Sequence, residues 1–162
     1  MKPMAYIYFY PMTSLSQIDL LSLQHLLRLT KDDKGQSLVF DPIRKKHFIA
    51  TPEEIVRQLW IAYFIETIKL NPRLIAIERS FELHGLKKRF DLILFQKDTQ
   101  PLLLAEFKAP GVPLSQSTFD QIAQYNMKWN VPYALVSNGR DHYCFTVDHD
   151  RQTFIWHDAL PM

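Results

Sequence analysis

Two apolar segments joined by a short polar turn constrain the fold of this chain more than any other feature. They span residues 89–95 and 102–108, and the polar residues 97–100 separate them. Both segments are rich in Leu and contain Phe, the first also contains Ile, and the turn between them carries Lys, Asp, Thr and Gln. Short apolar runs bounded by turn residues are typical of strands, so the pattern predicts an antiparallel hairpin.

The register of this hairpin determines which polar side chains meet. A turn centred between Asp98 and Thr99 places Asp91 directly opposite Glu106. Because side chains alternate along a strand, Lys108 shares a face with Glu106, and Asp91 shares that face with both. The opposite face is predicted to point into the core and carries Leu92, Leu94, Leu103, Ala105 and Phe107.

Two carboxylates and one ammonium on an otherwise apolar sheet need an explanation. Burying such charges without partners costs free energy, and two facing carboxylates repel each other. A hard divalent cation satisfies both, since Mg²⁺ takes one or two carboxylates and keeps several waters. The alternative is a cross-strand ion pair of Asp91 or Glu106 with Lys108 or Arg89. The hairpin context favours the metal site over that structural alternative.

A strong helix start lies upstream of the hairpin. Thr51 suits the N-cap position, Pro52 suits the first helical position, and Glu54 stands at the third, as in a capping box. The residues that follow are apolar over most of the helix circumference, so the helix is predicted to be buried against a sheet. Asn71 and Pro72 are predicted to end it.

The remaining pattern is that of an α/β domain. A second helix is predicted over residues 117–129, with an apolar stripe of Phe119, Ile122, Ala123 and Met127. Extended segments carry apolar residues on both faces, as expected for a central sheet covered by helices. These segments are predicted at 74–83, 88–96, 102–108, 133–137, 142–147 and 153–156.

The first 39 residues are predicted to form a separate N-terminal helical extension, and residues 40–162 the main domain. Leucines recur at helical spacing over residues 16–30, which predicts an amphipathic helix there. Gly35 provides a stop for this helix. No chemistry is assigned to the extension.

Composition excludes several classes of protein. The net charge is +2, which is too weak to indicate a nucleic-acid-binding protein by bulk charge. Cys144 is the only cysteine, so an intrachain disulfide and a Cys-based zinc site are excluded. Apolar stretches are too short to span a membrane, and no signal-peptide cleavage site follows the apolar run at 4–10, so a cytoplasmic protein is expected.

A set of short motifs occurs in a defined order between Phe40 and Cys144. Each motif is weak alone, but their order and spacing together resemble the PD-(D/E)xK nuclease superfamily. More narrowly, the chain resembles stand-alone relatives of the N-terminal nuclease domain of type I restriction enzyme R subunits. The motifs are FDPIRKK at 40–46, TPEEIVRQ at 51–58, KRFD at 88–91, LAEFKAP at 104–110, DQIAQYN at 120–126 and SNG at 137–139.

This resemblance implies a restriction-endonuclease-like core, with a mixed central β-sheet flanked by helices. It also implies roles for four residues of the hairpin. Asp91 and Glu106 would be metal ligands for Mg²⁺ or Mn²⁺, the Phe107 carbonyl would be a third ligand, and Lys108 would be the catalytic lysine.

Three further positions match motifs of the superfamily. Gln121 and Tyr125 match a Gln-x-x-x-Tyr element that lies beside the site and holds the lysine or the substrate. They are four residues apart, so they share a helix face, roughly opposite the centre of the apolar stripe. Glu54 matches the acidic residue of the first helix, which contacts the metal through water, although a capping-box glutamate needs no such role.

Local basic clusters are the candidate contacts to nucleic acid. Lys45, Lys46, Lys88 and Arg89 could bind phosphates beside a metal site without sequence preference. The alternative is that they are solvated, charged turns.

Two departures from the family pattern are visible. Phe90 stands where the superfamily name has Pro, a position without chemistry of its own. No Gly-x-x-x-x-Gly-Lys-Ser/Thr phosphate loop occurs, so the chain has no ATP-driven motor and is not a complete restriction subunit.

The function expected from these patterns is Mg²⁺-dependent hydrolysis of DNA phosphodiester bonds, related to restriction or defence. The first alternative is a catalytically inactive nuclease-fold module that binds nucleic acid or a partner protein. The second is a structural domain with a buried ion-pair network. The oligomeric state is open between a monomer and a homodimer, because many relatives cut two strands as dimers.

Overall fold

The computed structural model describes residues 14–162, which form two α-helices and eleven strands. The helices are α1 (Pro52–Ala62), which continues as a π-helical turn (Tyr63–Thr67), and α2 (Gln116–Trp129). Short 3₁₀ helices occupy Leu20–Leu26 and Pro72–Leu74. The strands are β1 (Leu29–Lys31), β2 (Ser37–Asp41), β3 (Lys46–Ile49), β4 (Ile75–Ile77), β5 (Ser80–Leu83), β6 (Leu86–Arg89), β7 (Leu92–Phe95), β8 (Pro101–Phe107), β9 (Tyr133–Ser137), β10 (His142–Asp148) and β11 (Thr153–His157).

The central sheet has six strands in the order β11-β10-β9-β8-β7-β4. Strands β8 and β9 pair in parallel, with α2 between them in the chain, and the other neighbours pair antiparallel. Strands β1 to β3 form a separate antiparallel sheet, and β5 and β6 form a two-stranded ribbon. The predicted fold class, an α/β domain with a mixed sheet flanked by helices and a short N-terminal helical piece, is confirmed.

Alternation along the central strands divides the core into two layers. Leu92 and Leu94 belong to a cluster that includes Trp60 of α1. Ile93 belongs to a second cluster, which includes Ile122 of α2. Because neighbouring residues of one strand face opposite sides, each face of the sheet buries one helix.

The predicted register of the central hairpin is confirmed. Leu92 pairs with Ala105 and Leu94 with Leu103, and a bulge follows at Phe95. Asp91 directly precedes the first of these pairs, and Glu106 directly follows it. The two carboxylates therefore enter the site from adjacent strands at the same end of the hairpin.

The helix predicted over residues 16–30 is wrong in type and extent. A 3₁₀ helix occupies only Leu20–Leu26, capped by the Asp19 carboxylate, and Leu29–Lys31 pairs with β2 instead. Pairing with a neighbouring strand outweighs the helical spacing of the leucines, which is a weak local preference. Leu15, Ile18 and Leu20 pack in the same core layer as α1, and the boundary predicted between residues 39 and 40 falls inside β2.

Two of the predicted strands are interrupted. The segment 74–83 divides into β4 and β5 at Glu78, whose φ is 48°. The segment 88–96 divides into β6 and β7 at Phe90 and Asp91. A positive φ is unfavourable for a residue with a Cβ atom, so Glu78 must be held by its surroundings, which belong to the site described below.

The predicted faces of α2 need one correction. Phe119, Ile122 and Ala123 are buried as expected, but Met127 is exposed, and Tyr125 is buried in its place. Tyr125 packs against Phe81 of β5, with ring centroids 5.2 Å apart. The β5–β6 ribbon covers this part of the helix. The spacing of apolar residues along a helix does not show that a separate ribbon will pack on it.

Across residues 14–162, no helix combines the length and apolarity needed to span a membrane. The apolar run at 4–10 lies outside the described residues.

Candidate active site

Asp91 is fixed by three hydrogen bonds at the start of β7. Its backbone carbonyl accepts from the Glu78 amide at 3.0 Å. Its Oδ2 accepts from the Phe107 amide at 2.7 Å, and its Oδ1 accepts from Arg57 Nη2 at 2.8 Å. Hydrogen bonds of a charged group to backbone amides and guanidinium groups are strong, so the carboxylate is held in one orientation.

Glu106 collects the other predicted catalytic side chains around one of its oxygens. Its Oε1 accepts from Lys108 Nζ at 2.9 Å and from Gln121 Nε2 at 2.7 Å. Gln121 Nε2 also donates to the Tyr125 hydroxyl at 3.1 Å. The structure therefore brings Asp91, Glu106, Lys108, Gln121 and Tyr125 together at one end of the central hairpin.

The pKa values of Glu106 and Lys108 determine how each group can act in the site. Burial, together with the nearby charge of Asp91, raises the pKa of Glu106 to about 7. Burial alone would lower the pKa of Lys108, but its hydrogen bond to Glu106 and the two carboxylate charges outweigh this and raise the pKa. Lys108 is therefore an ammonium group at neutral pH, which donates hydrogen bonds and positive charge and does not accept a proton.

Tyr125 is a neutral phenol in this site. Burial and the charge of Glu106 raise its pKa above the usual value of a tyrosine. Its hydroxyl accepts from Gln121 and thereby limits the rotation of that amide.

Glu54 serves an ion-pair network and does not complete a capping box. Its amide donates to Thr51 Oγ at 3.2 Å, which confirms Thr51 as the N-cap of α1. Its carboxylate pairs with Arg44 at 2.5 Å and with Arg57, and it accepts from Gln58 Nε2 at 2.9 Å. These partners occupy both carboxylate oxygens of Glu54.

The same network reaches Asp91 through residues that the sequence analysis did not select. Arg44 pairs with Asp41 at 2.6 Å and with Glu78 at 2.5 Å. Arg57, only 4% exposed, joins Glu54 to Asp91. One signal was available, because an arginine inside an otherwise apolar helix is rarely buried unless it is paired.

Glu53 is the second residue that the sequence analysis missed. It neighbours Glu54 on α1 and its side chain is largely exposed. Partial loss of hydration and repulsion from Asp91 raise the pKa of Glu53, while Lys108, Arg57 and Arg89 oppose the rise. The charge of Glu53 therefore interacts with the charges of Asp91 and Lys108, whereas the carboxylate of Glu54 is paired with arginines.

The four predicted nucleic-acid contacts lie on two separate hairpins. Lys45 and Lys46 are exposed at the turn between β2 and β3. On β6, Lys88 is half-buried and Arg89 is exposed, with Arg89 Nη2 3.2 Å from Glu78 Oε1.

The residues present are compatible with a magnesium or manganese site of low ligand number. Over the described part of the chain, no group of three or more His, Cys, Asp or Glu side chains is arranged around a common metal position. Mg²⁺ needs only one or two carboxylates, which Asp91 and Glu106 supply. Both hydrogen bonds that residues 14–162 give to Glu106 end on Oε1, so Oε2 is left for a cation. Burial and, second to it, repulsion from Asp91 raise the pKa of Glu106, and a cation between the two carboxylates would relieve that repulsion.

The fold and the site together define the class of this protein. A mixed sheet that brings an Asp, a Glu and a Lys together at the end of one hairpin is of the restriction-endonuclease-like type. The family described as "Type I restriction enzyme R protein N terminus (HSDR_N)" matches residues 52–161, which is more than half of the chain. The chain therefore belongs to this family, as its motifs indicated, and is a restriction-enzyme-related nuclease module. No curated protein matches the sequence.

Proposed function

We propose that this protein hydrolyses phosphodiester bonds of DNA with Mg²⁺ or Mn²⁺ held by Asp91 and Glu106. The observation that carries the proposal is the convergence of these two carboxylates with the Lys108 ammonium on a single hairpin end. Membership of the restriction-enzyme family supports a nuclease.

The metal ligands would be the carboxylates of Asp91 and Glu106, with the Phe107 carbonyl as a third. When bound there, a divalent cation supplies Lewis acidity toward the phosphate and lowers the pKa of a water that attacks phosphorus.

Lys108 supplies positive charge next to the reacting phosphate. Its side chain is 25% exposed, so the ammonium is held by Glu106 yet remains accessible to a substrate. A protonated lysine stabilises the charge that develops on the phosphate oxygens, or orients the attacking water through hydrogen bonds. No covalent intermediate with the protein is needed.

Gln121 and Arg57 keep the two carboxylates in position. Gln121 donates to Glu106 Oε1, and Arg57 donates to Asp91 Oδ1, so neither carboxylate needs to reorganise when substrate binds. Holding charged groups in place before the reaction removes part of its barrier.

The rival function is a nuclease-fold module that binds nucleic acid or a partner without cutting. One observation favours it, because the Arg57 guanidinium lies 2.8 Å from Asp91 Oδ1 and competes there with a metal ion. The two functions differ in whether a metal ion binds at Asp91 Oδ1, beside Arg57, and at Glu106 Oε2.

The deciding experiment incubates labelled supercoiled plasmid and single-stranded DNA with the protein and Mg²⁺ or Mn²⁺. We expect cutting that EDTA abolishes and that Lys108→Ala slows by about 10²–10³-fold. Lys97→Ala, at the opposite end of the same hairpin, is the matched control and should cut like the wild type.

A melting experiment separates the outcomes. Mn²⁺ should raise the melting temperature of the wild type and not that of Asp91→Asn, since ligand binding to the folded state stabilises it. Metal-dependent stabilisation without any cutting would favour the binding module. Neither cutting nor stabilisation by metal would contradict the catalytic proposal.

A further inference from the structure

A cleft of about 380 Å³ lies beside the site and is lined by basic side chains together with apolar residues and prolines. One wall is the turn between β2 and β3, and the other is the 3₁₀ helix Pro72–Leu74 with strand β4. Its lining contains no carboxylate, and its cations are Arg44, Lys45, Arg73 and Arg79.

Three of these four cations are available to a ligand. Arg44 is committed to the carboxylates of the ion-pair network. Lys45, Arg73 and Arg79 are exposed, and none of them forms an ion pair with residues 14–162. Since like charges brought together around a concave surface repel, the arrangement is stabilised by an anion that spans them.

The cleft and the candidate active site are neighbours, with Glu78 between them. Arg79 follows Glu78 in the chain, and the Glu78 amide donates to the carbonyl of Asp91. The Glu78 carboxylate also pairs with Arg44 of the cleft wall and lies 3.5 Å from Arg57 Nη2. A strand whose phosphates contact the cations of the cleft would therefore lie close to Asp91.

We propose that this cleft binds the phosphates of the DNA strand next to the bond that is cut. The inference rests on the proposed function and deepens it, because it states by which path the substrate strand reaches the metal site. Arg73 and Arg79 are absent from the contacts that the sequence suggested, and Lys45 belongs to both sets. Phosphate contacts of this kind fix the position of the strand and carry no sequence information.

The ligand is a polynucleotide and not a peptide strand. Strand β4 is an edge of the central sheet, but its three residues are all buried and offer little to an added strand. The exposed charged groups of the cleft are all cations, which match a row of phosphates.

The test is a binding titration in EDTA, so that cutting does not interfere. A labelled 30-base-pair duplex and the matching single strand are titrated at several salt concentrations. The cleft variant carries Lys45→Gln, Arg73→Gln and Arg79→Gln. The control variant removes the same charge with Lys31→Gln, Lys34→Gln and Lys97→Gln, which lie at the far ends of β2 and of the central hairpin.

We expect the cleft variant to bind at least tenfold more weakly than the control at low salt. The slope of log affinity against log salt should fall by up to about 0.9 for each cation removed from a duplex contact, or about 0.7 for a single strand. Circular dichroism and melting curves of both variants verify that each one is folded.

The outcomes separate this inference from the proposed function. The inference is wrong if the cleft variant and the control variant bind DNA equally well, or if the wild type does not bind DNA. Either result overturns it even if the wild type cuts DNA. Selective loss of binding in the cleft variant supports the path, even if the wild type does not cut.

Discussion

Arg57 Nη2 donates to Asp91 Oδ1 at 2.8 Å, and the same guanidinium pairs with Glu54. Arg57 is thereby the link between helix α1 and the strand that presents the candidate metal ligand. Burial on its own would lower the pKa of Arg57, but Asp91, Glu54 and Glu78 reverse this and raise the pKa. The position of Asp91 depends on a residue 34 positions earlier in the chain.

Replacement of Arg57 by Gln should strongly destabilise the protein. It leaves the buried carboxylates of Glu54 and Asp91 without their shared cation, and loss of one partner of a buried pair costs about 3–5 kcal/mol. The free energy of unfolding, measured in urea at pH 7, should fall by this amount.

Arg151→Gln is the control for that measurement. The Arg151 side chain is 83% exposed and its Nε lies 3.8 Å from Asp148, so its removal should change stability little. Equal stabilities of the Arg57 and Arg151 variants would show that Arg57 does not hold the network together.

Replacing the two neighbouring glutamates of α1 should affect different properties, stability for Glu54 and the response to metal for Glu53. Glu54→Gln should lower the free energy of unfolding by a few kcal/mol, because Arg44 and Arg57 lose a buried partner. Glu53→Gln should leave stability nearly unchanged and reduce the rise in melting temperature produced by Mn²⁺, because its charge acts on Asp91 and Lys108. Thermal melting of both variants, with and without Mn²⁺, checks this. The reverse pattern would assign the metal-linked role to Glu54, as the sequence motif suggested.

Gly139 should tolerate no side chain. Its φ is +86°, and a Cβ there would lie 2.9 Å from Val56 Cγ2 of α1. Gly35→Ala is the matched control, with φ +78° and no atom within 4 Å of the added Cβ. Urea unfolding should show about 1–2 kcal/mol of destabilisation for Gly35→Ala, from the backbone conformation alone, and a larger loss for Gly139→Ala. Similar losses would mean that Val56 moves away freely.

Stability should fall in acid because of His142. Burial lowers its pKa in the folded state below the ordinary 6.5, and its ring lies 2.7 Å from Ser137 Oγ and edge-on to Trp60. The unfolded chain therefore takes up the proton first, so the contribution of neutral His142 is complete above pH 6.5 and is lost as pH falls through the lower, folded-state pKa.

Unfolding curves between pH 5 and 8 test this dependence. His142→Gln should flatten the acid side of the stability profile, whereas His84→Asn, at an exposed turn, should leave its slope unchanged. An unchanged slope in His142→Gln would assign the acid sensitivity to other groups.

Local patterns predicted the parts of the site that lie within one hairpin or one helix. The pairing of Asp91 with Glu106 followed from the alternation of side chains and the turn between the strands. The proximity of Gln121 to Tyr125 followed from their spacing of four on a helix. The family resemblance placed both residues beside the site, where they would hold the lysine or the substrate. In the structure it is Glu106 that Gln121 contacts, at 2.7 Å.

The sequence by itself determined the hairpin register and the N-cap at Thr51, because each depends on residues close together in the chain. Only the tertiary structure decided that Arg44 and Glu78, 34 positions apart, would meet, and that Glu54 would be paired with arginines while burial and the charge of Asp91 raise the pKa of Glu53. It also decided that Glu78, bound by arginines from three elements, would divide a predicted strand in two. Buried charges take whichever partners the packing brings to them, and that choice is not encoded in any local periodicity.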